Sequence, residues 1–153
     1  MADNQNIGIN IGTCLFVAAA APATYDKAGF DALTWIEVGE VTDFGEVGGE
    51  RSVSTHIPVK TGEVNKRGGS IDYGQMAVTY GKDLTDVGQI ALDAAVTANT
   101  THSVKILDAD GVNYEAFTTI VTSFKTARGD ASAIIGGTSN FDITAKPTYF
   151  SVA

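Results

Sequence analysis

The sequence feature that most constrains the fold is the alternation of side chains along residues 112–125. One set of alternating positions there holds Tyr114, Ala116, Thr118, Ile120, Thr122 and Phe124. A period of two is that of a β-strand, whose successive side chains point to opposite faces. Turn sequences precede and follow the segment, Asp108-Ala109-Asp110-Gly111 and Arg128-Gly129-Asp130. We therefore predict a long strand bounded by two turns, within an antiparallel sheet.

Other segments rich in β-branched and aromatic residues predict further strands. They are residues 13–20, 33–44, 72–80, 102–107 and 132–145. One helix is predicted between the strand segments 72–80 and 102–107, because apolar side chains recur there at helical spacing. These side chains are Val87, Ile90, Ala91, Ala94 and Ala98. Asp83, Thr85 or Asp86 can cap its start, and Asn99 marks its end. The chain is thus expected to be mainly β (α+β), an antiparallel β-sandwich or barrel with one flanking α-helix and a long loop.

The length of 153 residues favours a single domain over residues 1–153, which would bury roughly 70% of the surface that its unfolded chain exposes. Residues 1–12 are polar and predict a flexible arm. Residues 45–70 are the least regular part, with six glycines and one strand candidate, 54–60, that Pro58 interrupts. A segment of this length with little structure of its own is usually functional or disordered.

Charge is distributed unevenly along the chain. Between residues 51 and 67, Arg51, Lys60, Lys66 and Arg67 stand against Glu63 alone, a net of +3. The whole chain carries −8, so the remainder carries −11. This division suits copies that dock head to tail, and it equally suits a solvated basic loop on an acidic protein. The overall acidity argues against a protein that reads nucleic-acid sequence.

The apolar residues 14–23 do not predict a secretory signal. The residues before them include Asp3 and no Lys or Arg, whereas a signal sequence begins with positive charge. No apolar run approaches the ~20 residues that span a bilayer. We therefore expect no membrane partner.

No constellation of catalytic residues is recognisable. Cys14 is the single cysteine, and His56 and His102 lie outside any metal-binding spacing. Glu37 and Glu40 fall on opposite faces of a predicted strand, so they do not form an acid–base pair unless a bulge re-aims one of them. The expectation is a protein that is not an enzyme and holds no cofactor or metal.

The order of segments resembles a known family. A Trp strand at residues 34–41 precedes the Gly-rich basic loop, and the strand Met76-Ala77-Val78-Thr79-Tyr80 follows it. A short helix at 88–95, a hairpin and a final strand ending in Phe141-Asp142-Ile143-Thr144 complete the order. This arrangement resembles the major tail tube proteins of long-tailed, siphovirus-type bacteriophages, over about residues 12–145.

The resemblance implies a structural virion protein. Six subunits would close into a ring whose inner sheets join into one barrel, and rings would stack into the hollow, non-contractile tube that delivers viral DNA. The arm and the loop at 45–70 would reach neighbouring rings, with Arg51, Lys60, Lys66 and Arg67 as candidate contacts. The lumen of such tubes is typically acidic. Candidate lumen acids on predicted strands are Glu37, Glu40, Asp43, Glu115 and Asp142.

The implied partners are further copies of the chain, with the tape-measure, tail-tip initiator and tail terminator proteins. DNA would pass through the lumen without specific binding. The protein would reside in the virion tail, after assembly in the host cytoplasm. Two alternatives stay open: a tube protein of a contractile tail or secretion-type system, and a β-sandwich module that binds carbohydrate or a cell surface. The second would need exposed aromatic side chains.

Overall fold

The computed structural model describes residues 9–151, so most of the arm predicted at 1–12 lies outside the described residues. Within that range the chain forms ten strands and two helices. In chain order they are β1 (Cys14–Ala18), α1 (Lys27–Asp31), β2 (Ile36–Val38), β3 (Val41–Asp43), β4 (Glu50–His56), β5 (Asn65–Asp72), β6 (Gln75–Gly81), α2 (Val87–Ala98), β7 (His102–Leu107), β8 (Tyr114–Ala127), β9 (Gly136–Ile143) and β10 (Thr148–Phe150). The protein is mainly β with antiparallel pairing, as predicted.

Strand β8 links the two halves of an eight-stranded sheet. Seven of its strands follow the order β2-β1-β7-β8-β9-β6-β3, and the eighth, β10, pairs with β8 outside this order. Its residues 114–119 pair with β7, and residues 119–127 pair with β9. Strand β10 lies beside the start of β8. We call β2, β1, β7 and the start of β8 the β1 half, and the end of β8 with β9, β6 and β3 the β6 half. A shift of register between Val121 and Ser123 marks a bulge, which bends a strand and increases its twist.

Both halves of the sheet contribute to one apolar core, against which α2 packs. Fully buried members include Leu15, Met76, Leu92, Val104, Phe117 and Phe141. Tyr80 is buried among them, and its hydroxyl pairs with that of Ser139 at 2.9 Å. A second cluster centres on Phe30, Tyr114 and Ala116, with Trp35 and Phe150 packed against it. Burial of this apolar surface supplies the main favourable free energy of folding.

Helix α2 forms as its sequence pattern predicts. Asp86 is the N-cap, and its side chain accepts the amide of Gln89. Asn99 ends the helix in the left-handed conformation, with φ of 50°. Helix α1 is a second, short helix of 5 residues. Its N-cap is Asp26, which accepts the amide of Gly29.

Three strand predictions differ from the structure, and one strand was not predicted. The predicted strand 33–44 is two strands, because Gly39 and Glu40 break it and Glu40 takes a φ of +59°. Strand β2 then pairs with β1, whereas β3 pairs with β6. The alternating set in β8 does not share one face: Tyr114 and Ala116 belong to the second cluster, but the bulge turns Phe124 towards the main core. Strand β9 begins at Gly136 rather than at residue 132, and β10 was not predicted.

Residues 45–70 contain more regular structure than we predicted: the strand candidate 54–60 overlaps only the end of β4, and β5 was not predicted. Strands β4 and β5 form a separate two-stranded antiparallel sheet, with Glu50 opposite Asp72 at its base and His56 opposite Asn65 near its tip. The strands are rich in Ser, Thr, Gly and charged residues, so no apolar alternation reveals them in the sequence. We call residues 50–72 the hairpin and residues 57–64 its tip.

Candidate functional site

The hairpin projects from the body of the protein. Strands β4 and β5 contact mainly each other, and nearly all of their residues are exposed. The tip carries three exposed aliphatic side chains, Ile57, Val59 and Val64, and Val59 is fully exposed. A two-stranded hairpin is only marginally stable alone in water, and exposed aliphatic side chains favour a protein contact. This geometry suits a partner surface, not a reaction.

The four predicted loop cations all lie on the hairpin. Lys66 lies opposite Thr55 and Arg67 opposite Ser54, while Lys60 is in the tip. The guanidinium of Arg51 donates a hydrogen bond to the carbonyl of Gly69 at 2.7 Å. Within residues 9–151 the one ion pair is Lys27–Asp31, so none of these four cations is neutralised by a carboxylate of its own described chain.

The base of the hairpin borders a cavity of about 290 Å³. Its lining includes Arg51, Ile71, Tyr73, Glu115 and Lys146. Burial, together with the nearby carboxylate of Asp108, raises the pKa of Glu115. The side chain of Glu115 is half-buried at the base of the hairpin.

The outward face of the β6 half is polar. Gln75, Ala77 and Thr79 of β6 are exposed while Met76, Val78 and Tyr80 alternate into the core. Across the ladder they lie opposite Asp142, Asn140 and Thr138 of β9. Most of these side chains are small or neutral, which leaves a smooth hydrophilic sheet surface.

This half of the sheet ends in two edges that no other described strand covers. One edge is β3, which pairs only with β6. The other is the end of β8, because the pairing with β7 stops where His102 meets Thr119. Such edges present unpaired amide and carbonyl groups and are ready to pair with another chain.

The five predicted lumen acids occupy different parts of the molecule. Asp43 lies opposite Thr79 on β3, and Asp142 lies on β9; both are exposed on the β6 half. Glu37 is exposed on β2, in the β1 half, and Glu40 is exposed in the connection between β2 and β3. The structure thus brings Asp43 and Asp142 to one half of the sheet and leaves the other three elsewhere.

Sequence reasoning missed a cluster of charged and aromatic side chains on the β1 half. The ammonium of Lys105 lies 4.7 Å from the ring centre of Phe16 and 4.9 Å from that of Trp35. Asp31 accepts hydrogen bonds from Lys27 at 2.7 Å and from the hydroxyl of Tyr114 at 2.6 Å. Burial lowers the pKa of Lys105, while the bonds from Lys27 and Tyr114 lower the pKa of Asp31. Local sequence could not reveal it, since its members come from β1, α1, the connection before β2, β7 and β8.

A second missed feature is an apolar cleft at the end of the β6 half remote from the hairpin. A depression of about 380 Å³ is lined by Lys82, Leu84, Thr126, Arg128 and Ile135. A smaller one of about 90 Å³ adjoins it through Lys82 and Leu84 and adds Asp83, Ile90, Asp93 and Phe124. We call the two together the cleft. The amide of Lys82 donates to the carbonyl of Ile135 at 3.0 Å, which joins its two sides.

Cys14, His56 and His102 lie on three different strands, β1, β4 and β7. Cys14 is half-buried, and burial together with Glu37 raises the pKa of its thiol, which disfavours a thiolate nucleophile. His102 is buried on β7 against the carbonyl of Thr100, whereas His56 is exposed on the hairpin. Among residues 9–151, no three His, Cys, Asp or Glu side chains are placed to hold a metal ion.

The aromatic side chains do not form an exposed platform in the described part of the chain. Trp35 is half-buried and its indole nitrogen donates to the carbonyl of Phe30 at 2.9 Å. Tyr80 and Tyr114 are buried, and only Tyr25 and Tyr149 among the tyrosines are exposed. No helix in residues 9–151 is both long and apolar enough to cross a membrane.

No family model and no curated protein matches the chain by sequence. Solved structures do match its fold. A chain from the six-fold symmetrised anti-feeding prophage baseplate is 8% identical with a TM-score of 0.64, over 90% of this chain and 91% of that one. A chain from the tail of an empty GTA particle is 8% identical with a TM-score of 0.62, over 90% and 96%.

A third match is the sheath/tube terminator structure of an extracellular contractile injection system. Its chain is 8% identical with a TM-score of 0.60, over 91% of this chain and 93% of that one. The protein therefore has a fold found in phage-like tails and baseplates.

Proposed function

We propose that this chain is the structural subunit of a hollow tube in a phage-type tail. Six copies close into a ring through the β6 half, and rings stack into the tube. The observation that carries the proposal is the β6 half itself, a four-stranded sheet with two uncovered edges, one polar face and one core face.

Ring closure pairs the edge of β3 in one copy with the end of β8 in the next. Each edge then gains the hydrogen bonds that it lacks in the single chain. Repeated around a ring, this pairing makes one barrel without edges, lined by the polar outward face. The short β3 and the bulged β8 also protect the single chain, because short or bulged edges aggregate poorly.

The outward face becomes the lumen in this arrangement. Of the five acids considered from sequence, Asp43 and Asp142 are the ones that we assign to it, because both lie on the β6 half. Negative charge among small neutral side chains repels the phosphate backbone, so DNA moves through without adhering.

The further partners proposed are the tape-measure, tail-tip initiator and tail terminator proteins, with the virion tail as the location and host cytoplasm as the place of assembly. A non-contractile, siphovirus-type tail is our first candidate. A contractile tail or secretion-type tube is the second, and the likeness of the fold to chains of contractile injection systems supports it. A sheath gene beside this one would decide for the second.

The proposal is tested by imaging concentrated protein and by linking the two edges. In a Cys14→Ser background, Asp43→Cys on β3 is combined in turn with Ser123→Cys, Lys125→Cys and Ala127→Cys on β8. These β8 residues lie opposite Asn140, Thr138 and Gly136 of β9, so they are on the outward face of the β6 half, as Asp43 is. We expect rings or tubes by electron microscopy, and disulfide-linked hexamers from at least one pair.

Glu37→Cys with Lys125→Cys is the matched control, since β2 is also an edge strand. It should give no linked rings. A protein that stays monomeric at high concentration, both alone and with a tail-tip initiator, contradicts the tube. Linking through Glu37→Cys in place of Asp43→Cys contradicts the edge assignment.

A further inference from the structure

A row of register partners crosses the β6 half from one uncovered edge to the other. Lys125 of β8 lies opposite Thr138 of β9, and Thr138 lies opposite Thr79 of β6. Thr79 in turn lies opposite Asp43 of β3. The row therefore begins with a cation at one edge and ends with a carboxylate at the other, with two neutral threonines between them.

Both charged side chains of this row lie on the outward face. Phe124, the residue before Lys125, packs against the main core, so Lys125 points to the opposite face of the strand. Asp43 shares the face of Thr79, its exposed partner on β6. Lys125 and Asp43 are themselves exposed, so a neighbouring chain can reach each of them.

Neither charge is balanced within its own chain. No ion pair in residues 9–151 includes Lys125 or Asp43. Oδ1 of Asp43 accepts the amide of Gly45 at 2.8 Å, which orients the carboxylate without neutralising it. Asp43 is the one charged residue of β3, and Lys125 is the one charged residue in the end of β8, residues 119–127. Each edge thus carries a single charge, and the two charges have opposite signs.

The strand directions allow the two edges to meet. Each neighbouring pair among β8, β9, β6 and β3 is antiparallel, so β3 and the end of β8 run in opposite directions. Pairing β3 of one copy with β8 of the next therefore continues the antiparallel order. In such a pair, opposite charges that lie directly across from each other stabilise the contact, and a long side chain also reaches the diagonal position two residues away.

We propose that Lys125 of one copy pairs with Asp43 of the next copy and sets the register of the seam, the junction between the β3 and β8 edges. The inference rests on the proposed ring and specifies what aligns its copies. A slip of one residue would turn either side chain to the other face, so the charge pair selects one alignment. It also masks an ammonium group that would otherwise attract phosphate in the lumen, and it leaves Asp142 to supply the net negative charge there.

Charge reversal in the full chain tests the pair. Asp43→Lys sets two ammonium groups against each other at every seam, and Lys125→Asp sets two carboxylates against each other. Like charges directly across a strand pair are destabilising, so each variant should raise the concentration needed for assembly about tenfold. Light scattering and electron microscopy measure this concentration. The double variant restores the pair with reversed polarity and should assemble close to the parent concentration.

Mixing the two single variants shows whether the pair joins different copies. In a ring where the variants alternate, every seam again joins one cation to one carboxylate, and six copies can alternate without a mismatch. The mixture should therefore assemble although neither variant does so alone. With one variant isotope-labelled and the two mixed at about two to one, mass spectrometry should find equal amounts of both in the assemblies.

Asp142→Lys is the matched control. Asp142 is exposed on the same face, but β9 is paired on both sides and lies at neither edge. This variant should assemble at about the parent concentration. If it fails as badly as Asp43→Lys, the effect belongs to the whole face and the seam pair is overturned.

Other outcomes separate the seam pair from the proposed tube. Normal assembly by either reversed variant, or no recovery in both the mixture and the double variant, overturns the pair and leaves the tube intact. A parent protein that forms no rings or tubes overturns both. Asp43→Asn and Lys125→Gln give a milder second test: raised salt should weaken assembly of the parent more than that of either neutral variant. Equal salt dependence would contradict the pair.

Discussion

Gly39 and Asp86 join helix α2 to the connection between β2 and β3. The amide of Gly39 donates a hydrogen bond to Oδ2 of Asp86 at 3.1 Å, and the same oxygen accepts the amide of Gln89 at 2.9 Å. The side chain of Gln89, fully buried, donates in turn to the carbonyls of Gly81 at 2.8 Å and Gly39 at 3.3 Å. One carboxylate therefore caps the helix and ties it to the point where the chain passes between the two halves of the sheet.

Replacing Asp86 should destabilise the protein more than an ordinary helix cap does. Asp86→Ala removes the cap of α2 and the acceptor for Gly39 together, so we expect the free energy of unfolding to fall by about 2 kcal/mol. Urea unfolding followed by circular dichroism measures this. Asp83→Ala is the control, since the carboxylate of Asp83 accepts only from Thr85, in an exposed turn. Equal losses from the two variants would contradict the double role of Asp86.

Gly88 should resist replacement although it lies inside a helix. A Cβ at Gly88 would lie 2.2 Å from the carbonyl oxygen of Glu37 and 2.5 Å from Cα of Val38. Gly88→Ala would gain about 1 kcal/mol from helix propensity, but we expect the backbone clash to outweigh it by about 1–3 kcal/mol. Thr97→Ala, at an exposed position of the same helix, should slightly stabilise the protein. Thermal unfolding of both variants tests the sign, and a stabilised Gly88→Ala would show that α2 can move off β2.

Tyr114→Phe should reduce stability in a way that depends on pH. Hydrogen bonds from Lys27 and from Tyr114 lower the pKa of Asp31 in the folded state. Such a carboxylate stabilises the fold above its ordinary pKa, and that stability is lost as the pH falls through the lowered folded pKa. We therefore expect a loss of about 1 kcal/mol at pH 7, where the bond is charge-assisted, and a smaller loss in acid once Asp31 is protonated.

The control for this prediction is Tyr25→Phe. The hydroxyl of Tyr25 donates to the backbone carbonyl of Lys146 at 2.7 Å, an acceptor that does not titrate. Its loss should not vary with pH over the same range. Denaturant unfolding of both variants at a series of pH values makes the comparison, and parallel curves would exclude Asp31 as the cause.

Excising the hairpin should separate folding from assembly. Glu50 and Asp72 are register partners at its base, so an Asn-Gly turn can replace residues 51–71 and close the gap. The hairpin adds little to the core, and we expect the melting temperature to stay within about 5 °C of the parent. Electron microscopy should then show rings without long tubes. A variant that builds normal tubes would remove the hairpin from the stacking mechanism, whereas an unfolded variant would show that its base stabilises the body.

Features encoded within a few neighbouring residues were predictable from the sequence. The caps Asp86 and Asn99 mark the ends of α2, and β7 has the predicted bounds of residues 102–107. The turn before β8 also forms as expected: Asp110 accepts the amides of Val112 and Asn113, and Gly111 has a positive φ of 77°. In each case the deciding interactions join residues that are close in sequence.

Features that depend on distant pairing were not predictable. The hairpin strands carry no apolar alternation, and the bulge in β8 changes which face Phe124 occupies. The break at Gly39 assigns β2 and β3 to different halves of the sheet, which no local pattern indicates. The same reason explains the scatter of the candidate lumen acids: Glu37 and Asp43 are near in sequence but lie on separate halves.

The alternation along residues 112–125 and the turn sequences on either side of it determined by themselves that a long strand lies there, and the charges in the sequence determined that residues 51–67 are basic within an acidic chain. The tertiary structure alone decided that β8 serves two halves of one sheet, that the basic segment is a projecting hairpin with an apolar tip, and that a cleft lies at the opposite end of β6. The physical reason is that strand periodicity is a local property, whereas edges, faces and clefts arise only when strands remote in sequence pair.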